Sequence, residues 1–248
     1  PNDTGISREL IVFKAHEPLS TKLLTKQLKK DMVCIDIGAN IGYYALLESK
    51  ITKRVIALEP SPLNYKILLD NIRLNNIQNI QPYNIAVGDR NGDTEFLISD
   101  RSNWSRIPQK IYTVEAYGQE SVSSIKVPIV TLDSFIDKQK IDQVNFVRMD
   151  IEGYEYHALK GMHKTLEFRP LLQIEIHFQL LGINKTEAIL KKLQDHGYET
   201  SYYIDHGIDM SIIGTSNDIE KSSITKIIQL LNSRTDHHAF HLLTSPEI

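Results

Sequence analysis

The chain has 248 residues, 41% hydrophobic and 24% charged, a balance that suits one soluble globular α/β domain with modest additions. A formal charge of −3 and a pI near 6.3 supply no overall basic field for gripping nucleic-acid phosphates, and a single cysteine, Cys34, excludes an intrachain disulfide and a Cys-based zinc site. No apolar run approaches the roughly 20 residues of a membrane span and no signal-peptide pattern opens the chain, so a cytoplasmic location is expected, with Pro1 marking a trimmed terminus.

In chain order, Leu19, Leu23, Leu24 and Leu28 recur at helical spacing and predict an amphipathic helix over Leu19–Lys30, closing an N-terminal helical lead-in of residues 1–30. Val33–Ile37 is a buried strand, Ile41–Lys50 a helix, Val55–Leu58 a second strand and Tyr65–Leu74 a second helix behind Pro60 and Pro62. Ile80–Val87 is the third strand. The turn cluster Gly88–Gly92 leads into Thr94–Ser99, whose alternation predicts the return strand of a hairpin, and Ile125–Val130 is a further strand, with a hairpin and loop insertion assigned to residues 93–130. Thr131 caps a short helix over Leu132–Ile136, Val144–Met149 is the fourth core strand, and Ala158, Leu159, Met162 and Leu166 mark the helix after it. Leu171–Ile176 is another buried strand. Asn184 and Glu187 look like a capping pair for a helix closed by Gly197, and the tail supplies strands at Glu199–Ile204, Met210–Ile213 and Ala239–Leu243 and a helix around Ile224–Leu231. Strands alternating with helices predict a mostly parallel sheet covered on both faces, with the functional residues gathered on the carboxyl edge after Ile37, Leu58, Val87, Met149 and Ile176.

Val33–Gly42 followed by Val55–Glu59 is a strand, a glycine-bearing turn, a helix and a second strand ending in a carboxylate, an arrangement that holds a nucleoside cofactor. Gly38 and Gly42 let the backbone approach a ligand, and Glu59, 23 residues after Asp36 (59 − 36), can accept hydrogen bonds from ribose hydroxyls. A nicotinamide dinucleotide calls for glycines two and five residues after the first, where this chain has Asn40 and Tyr43. The pattern Asp36-x-Gly38-x-Asn40-x-Gly42 resembles motif I of class I S-adenosylmethionine-dependent methyltransferases. A sulfonium cofactor carries an ammonium and no pyrophosphate, so a carboxylate beside the turn attracts it.

A second constellation, Met149-Asp150-Ile151-Glu152-Gly153, places Asp150 and Glu152 at the carboxyl edge of the fourth strand, two residues apart and on one side. With it the chain resembles the FkbM-type methyltransferase family over about residues 16–180. The matching pieces are His16-Glu17-Pro18, Asp36 to Gly42, Glu59-Pro60, Asn84 to Asp89 with Gly92, Val130 to Asp133, Met149 to Gly153 with Glu155, Leu159 to Gly161, and Ile174 to His177. The resemblance implies a Rossmann-like class I fold with a seven-stranded, mostly parallel sheet and a hairpin insertion. It also implies methyl transfer from S-adenosyl-L-methionine to a hydroxyl of a sugar, glycan or secondary metabolite. Asp36, Gly38, Ala39, Asn40, Gly42, Glu59, Asn84 and Ala86 are then the cofactor-binding set, with Asp36 toward the amino group of the methionine moiety and Asn84 and Ala86 near the adenine. Glu17 and Pro18 close over the site. One departure is Arg148, where the family often has Lys; Arg keeps the charge and cannot act as a base.

An alcohol is a poor nucleophile, and a base that removes its proton adds about 10²–10⁴-fold to the rate. Asp150 and Glu152 are the first candidates and His177 the second; holding Arg148, or capping the next helix, is the competing role of the two carboxylates. No metal site is expected: Asp150 lacks a second carboxylate or amide after Ile176, and His237 and His241 lie ~13 Å apart on a strand that turns His238 the other way. Asp100–Ser124, with Trp104, Tyr112 and Tyr117, is read as a lid over a small-molecule or glycan acceptor. Rival readings are an RNA methyltransferase, disfavoured by the low pI and the missing Pro-Pro-aromatic motif, a nicotinamide oxidoreductase, and a silent cofactor-binding domain. The oligomeric state is left open.

Overall fold

The structure, a computed structural model, describes residues 10–11, 16–99, 104–109, 122–206, 219–233 and 239–247. Tyr112, Tyr117, Met210–Ile213, His237 and His238 lie outside the described residues. The elements in order are α1 (Pro18–Gln27), β1 (Val33–Ile37), α2 (Tyr43–Ser49), β2 (Arg54–Leu58), α3 (Pro62–Leu74), β3 (Ile80–Tyr83), β4 (Ala86–Val87), β5 (Gly92–Ser99), β6 (Val122–Val130) and α4 (Leu132–Gln139). They continue with β7 (Phe146–Met149), α5 (Glu155–Lys160), α6 (His163–Glu167), β8 (Leu171–Ile176), α7 (Phe178–Asp195), β9 (Thr200–Asp205), β10 (Glu220–Ser223), α8 (Ile224–Ser233) and β11 (Phe240–Thr244).

The main sheet has the order β3-β2-β1-β7-β8-β11-β9-β10. β3, β2, β1, β7 and β8 are parallel, while β11 is antiparallel to both β8 and β9. Strand order reverses between β1 and β7, the switch point at which an open α/β sheet presents a ligand crevice. The count is a correction: the sheet has eight strands where seven were expected, and the added one is β10 on the edge, antiparallel to β9. Its sequence, Glu-Lys-Ser-Ser, has no apolar alternation, and such a polar edge strand resists pairing with other chains. Thr94–Ser99 does not return along the strand before the Gly88–Gly92 turn, as expected; its partner is the later strand β6. β5 and β6 pair antiparallel from Gly92↔Ile129 to Ser99↔Val122, and β4 adds to β6 as a separate three-stranded sheet, so the strand read as Ile80–Val87 is divided between two sheets.

Period-two alternation sorts the side chains into two layers. Ile35, Ile37, Ile56, Leu58, Val147, Met149, Leu172 and Ile174 face α4 to α8, whereas Cys34, Val55, Ala57, Phe146 and Leu171 face α1, α2 and α3. Helix starts follow from local chemistry. Ser61 accepts from Asn64 N–H at 3.3 Å with Pro62 opening α3, and Thr131 accepts from Ser134 N–H at 3.2 Å. The run Phe178–Asp195 is two helical pieces divided at Gly182 (φ 70°, ψ 170°): the longer one lies behind Gly182, where Asn184 and Glu187 predict a helix start, and the short turn from Phe178 was not expected. Gly197, at φ 83°, ends it as read.

Candidate functional site

The carboxyl edge of β1, β2, β7 and β8, roofed by the small sheet, encloses a cleft with about 1330 Å³ of empty space, partly open to solvent. Gly38, at φ +80°, begins the first wall. A Cβ there would stand 1.9 Å from the Asp150 carbonyl oxygen, so only glycine lets the β1 turn lie against the β7 turn. Gly38 and Ala39 both donate backbone N–H to Leu58 O (2.9 and 3.1 Å), which draws the β2 tip alongside. Asn40, at φ 50°, donates its N–H to Glu59 Oε2 at 2.8 Å, and Ser61 N–H reaches Glu59 Oε1 at 2.8 Å. Each Glu59 oxygen therefore takes one protein donor and keeps a lone pair for a ligand. Burial raises the Glu59 carboxyl to about 7, the two N–H donors opposing and Asp36 and Asp150 reinforcing the shift.

Not every residue named from sequence reaches the cleft. Gly38, Asn40, Glu59, Ala86, Asp150, Glu152 and His177 line it; Asp36, Ala39, Gly42 and Asn84 do not. Asp36 is fully buried on the α2 side of β1 and accepts from Arg148 Nη1 at 3.3 Å. Burial raises its carboxyl and Arg148 opposes the rise. Gly42 fits against Leu68 of α3, where a Cβ would meet Leu68 Cδ1 at 2.6 Å, and Asn84 Nδ2 donates to the carbonyls of Glu59 (2.7 Å) and Pro60 (3.0 Å), pinning the loop that carries Glu59. These residues shape the wall from behind.

The second wall is rich in ionisable groups. Arg148, 4% exposed, lies over the Tyr44 ring with its guanidinium carbon 4.0 Å from the centroid, and donates from Nη2 to Asp150 Oδ2 at 2.9 Å. Burial and then neighbouring Glu175 raise the Asp150 carboxyl to about 6 against the pull of Arg148. Glu152 sits at φ 51° between Ile151 and Gly153, with Oε2 3.4 Å from His177 Nε2, and burial raises it to about 8. His177 Nδ1 is 2.8 Å from Glu155 Oε1. Burial disfavours its charge, yet Glu152, Glu155 and Glu175 together hold the imidazole well above its usual value.

Sequence reasoning passed over His206 and gave Glu175 no site role, although Glu175 belongs to the matching piece Ile174 to His177. Glu175 sits within the apolar strand β8, in the period-two set Gln173, Glu175, His177 among leucines and isoleucines. His206 follows β9 and comes within 2.8 Å of Glu175 Oε1 through Nδ1. Glu17, by contrast, was singled out, and it lines the cleft with Oε2 accepting from Tyr44 O–H at 2.7 Å. Of the expected lid, Trp104 and Ile107 line the cleft, and Leu97 and Arg106 exchange backbone hydrogen bonds (2.8 and 2.9 Å) that tie this segment to β5.

The donor set discriminates among cofactors. A ligand in this cleft meets the carboxyl groups of Glu17, Glu59, Asp150, Glu152 and Glu175 with the imidazoles of His16, His177 and His206 among them, an acidic excess that suits a sulfonium and an ammonium better than a pyrophosphate. Ile85 and Ala86 add apolar lining to the same cleft.

Comparison with known proteins agrees. A family model described as the methyltransferase FkbM domain matches residues 36–200. A hexuronic acid methyltransferase, AglP of Haloferax volcanii, is 28% identical over 160 residues, covering 63% of this chain and 60% of that protein. Methyltransferase 1 of Beauveria bassiana is 22% identical over 147 residues, covering 53% and 59%. The chain's match thus spans about 60% of the length of these curated relatives. The crystal structure of a methyltransferase FkbM from Methylobacillus flagellatus superposes with a TM-score of 0.51 at 18% identity, covering 90% of this chain and 47% of that one, a likeness of fold.

Proposed function

The chain belongs to the FkbM methyltransferase family, and from that premise we propose that it uses S-adenosyl-L-methionine to methylate an oxygen of a sugar, glycan or secondary-metabolite acceptor. The observation that carries the reading is Glu59: a buried carboxylate at the tip of β2, fixed by one backbone N–H on each oxygen, beside a Gly38 turn that has no room for a side chain. Its remaining lone pairs would accept the ribose hydroxyls. Asp150, next to the turn, would face the cationic end of the cofactor, and Ala86 would leave space for the adenine. When bound, the cofactor supplies an electrophilic methyl carbon; the protein's task is alignment and proton removal. In this reading Glu152 takes the proton of an acceptor hydroxyl. It lines the cleft, and His177, itself held by Glu155, steadies its carboxylate. Trp104 supplies an aromatic wall of the kind on which sugar rings stack. A sugar acceptor is favoured by the name of the hexuronic acid methyltransferase among the relatives.

Calorimetric titration with S-adenosyl-L-methionine and, separately, NADH tests the cofactor. Micromolar binding of the former, abolished in Glu59→Ala, is expected; preferential binding of NADH refutes the reading. Transfer of labelled methyl groups to uronic-acid and hexose acceptors then tests the substrate class, with Glu152→Gln expected to lower kcat by about 10²–10⁴ while cofactor affinity holds.

A further inference from the structure

Beyond the cofactor side of the cleft, four side chains from four separate segments converge on one point. Glu17 precedes α1, Glu175 is in β8, His206 follows β9 and His241 is in β11. Each offers one ligand atom, and the four atoms all lie within 4.8 Å of one another. His206 Nδ1 is 2.8 Å from Glu175 Oε1, and His241 Nε2 is 3.9 Å from Glu17 Oε1. The sheet register builds half of the group: His241 is the direct cross-strand partner of Glu175, so the two side chains emerge on the same face as neighbours. Glu17 is brought to them by Tyr44, whose hydroxyl donates to Oε2 at 2.7 Å, while Oε1 lies 3.3 Å from His16 Nε2 and 3.9 Å from His241 Nε2, so His16 would give way as Oε1 turns to an ion.

We propose that Glu17, Glu175, His206 and His241 form a divalent transition-metal site. Two imidazole nitrogens and two carboxylate oxygens, with no thiolate, are the donors of Zn(II), Mn(II), Fe(II) or Co(II); Ca(II) and Mg(II) prefer oxygen shells. Tetrahedral bonds of about 2.0–2.2 Å place donor atoms about 3.3–3.6 Å apart, so side-chain shifts of about an ångström close this set around an ion. Three of the four residues are nearly fully buried, and His206 is the more exposed member at 32% of its side chain. Glu17, Glu175 and His206 also line the cleft, so the ion adjoins the acceptor space, where it can ligate an acceptor oxygen. The tight Tyr44–Glu17 hydrogen bond is the outer-shell support such a ligand needs. A second set, Asp150, Glu175 and His177, shares only Glu175 with the first and is set apart by the variants below.

The test uses the full chain, stripped with a chelator and titrated with ZnCl₂ and MnCl₂ by calorimetry, with the visible absorption of added Co(II) as a coordination readout. Neither measurement needs cofactor or turnover, so the result stands apart from the methyl-transfer reading. One ion per chain is expected. His206→Gln and His241→Gln should each weaken binding by more than the roughly 10–100-fold that loss of an outer-shell partner costs, and Tyr44→Phe should fall within that range. His177→Gln should keep the stoichiometry. His206, being partly exposed, tolerates replacement best, and circular dichroism of the metal-free variants checks their fold. Absence of one-to-one binding, unchanged affinity in both His206→Gln and His241→Gln, or loss of the ion in His177→Gln would overturn the assignment. The four groups would then be a metal-free ion-pair cluster, or the ion would belong to the second set.

Discussion

The Glu59 carboxyl is raised to about 7 while it waits for a ligand, so cofactor binding should be linked to a proton. In the free protein at pH 6 about nine in ten Glu59 side chains carry a proton, and at pH 8 about one in ten does. Ribose hydroxyls that donate to the carboxylate favour its ionised form, so the affinity should be roughly tenfold weaker at pH 6 than at pH 8, a change worth about 1.4 kcal/mol. The clean probe is 5′-methylthioadenosine, which keeps the ribose and adenine and has no amino group to titrate in this range. Calorimetry in buffers of different ionisation enthalpy should read release of about half a proton per binding event near pH 7. Glu59→Gln should bind more weakly and without pH dependence. The same group also shapes stability. Its folded value lies above the ordinary 4.5, so the folded state holds more protons than the unfolded one between about pH 4.5 and 7. Across that window stability falls as pH rises, by an amount on the order of 3 kcal/mol, and bound ligand should restore part of the loss. An affinity flat from pH 6 to 8, or a pH dependence that survives in Glu59→Gln, would show that the carboxylate does not face the ribose.

Gly38→Ala should abolish cofactor binding and destabilise the fold by more than about 2 kcal/mol, since the left-handed backbone alone costs about 1–2 kcal/mol and the new Cβ would overlap the Asp150 carbonyl; calorimetry and a thermal melt read both, and wild-type affinity in this variant would contradict the close turn. Arg148→Met strands the buried Asp36 carboxylate and should cost about 3–5 kcal/mol, a fall in Tm of roughly 10 °C; adding Asp36→Asn should recover much of it, and strict additivity of the two would mean that the pair is not coupled. Tyr198→Phe removes the buried hydroxyl that donates to Pro170 O at 2.9 Å and should lower stability by about 1 kcal/mol, read as a small drop in the urea midpoint with an unchanged slope.

How far the site could be read in advance depended on whether its information was local. The β1 turn, Glu59 and the strand β5 announce themselves within a few residues, because glycine at a tight turn, a carboxylate at a strand end and strict alternation each have a local cause, whereas the pairing of β5 with the distant β6 does not. Asn184 with Glu187 marks the helix that runs on behind the Gly182 break, whereas the short turn from Phe178 carries no start signal of its own. β10 had no pattern to find, being an exposed edge of Glu, Lys and Ser. Asp36 was read as facing the ligand, whereas period two sends it to the α2 face, opposite the side taken by Ile35 and Ile37. The cluster around Glu175 is the most distributed feature. Its members lie between residues 17 and 241, and His241 gains its meaning only from the pairing of β11 with β8. Judged along its own strand His241 stands too far from His237 to share an ion with it; judged across strands it faces Glu175.

Arg148 connects the two halves of the cleft. Asp36, Arg148 and Gln173 are in register across β1, β7 and β8, so a polar row crosses an otherwise apolar sheet face. A buried row of that kind survives only if its charges are matched. The guanidinium matches two carboxylates at once, Asp36 through Nη1 and Asp150 through Nη2, while its plane lies on Tyr44, whose hydroxyl in turn fixes Glu17. A lysine ammonium at this position would present a single point charge and no flat face for the ring. The arginine therefore ties the β1 turn, which shapes the proposed cofactor wall, to Glu17 on the proposed metal side through three consecutive contacts. It does so with a charge that no accessible pH removes.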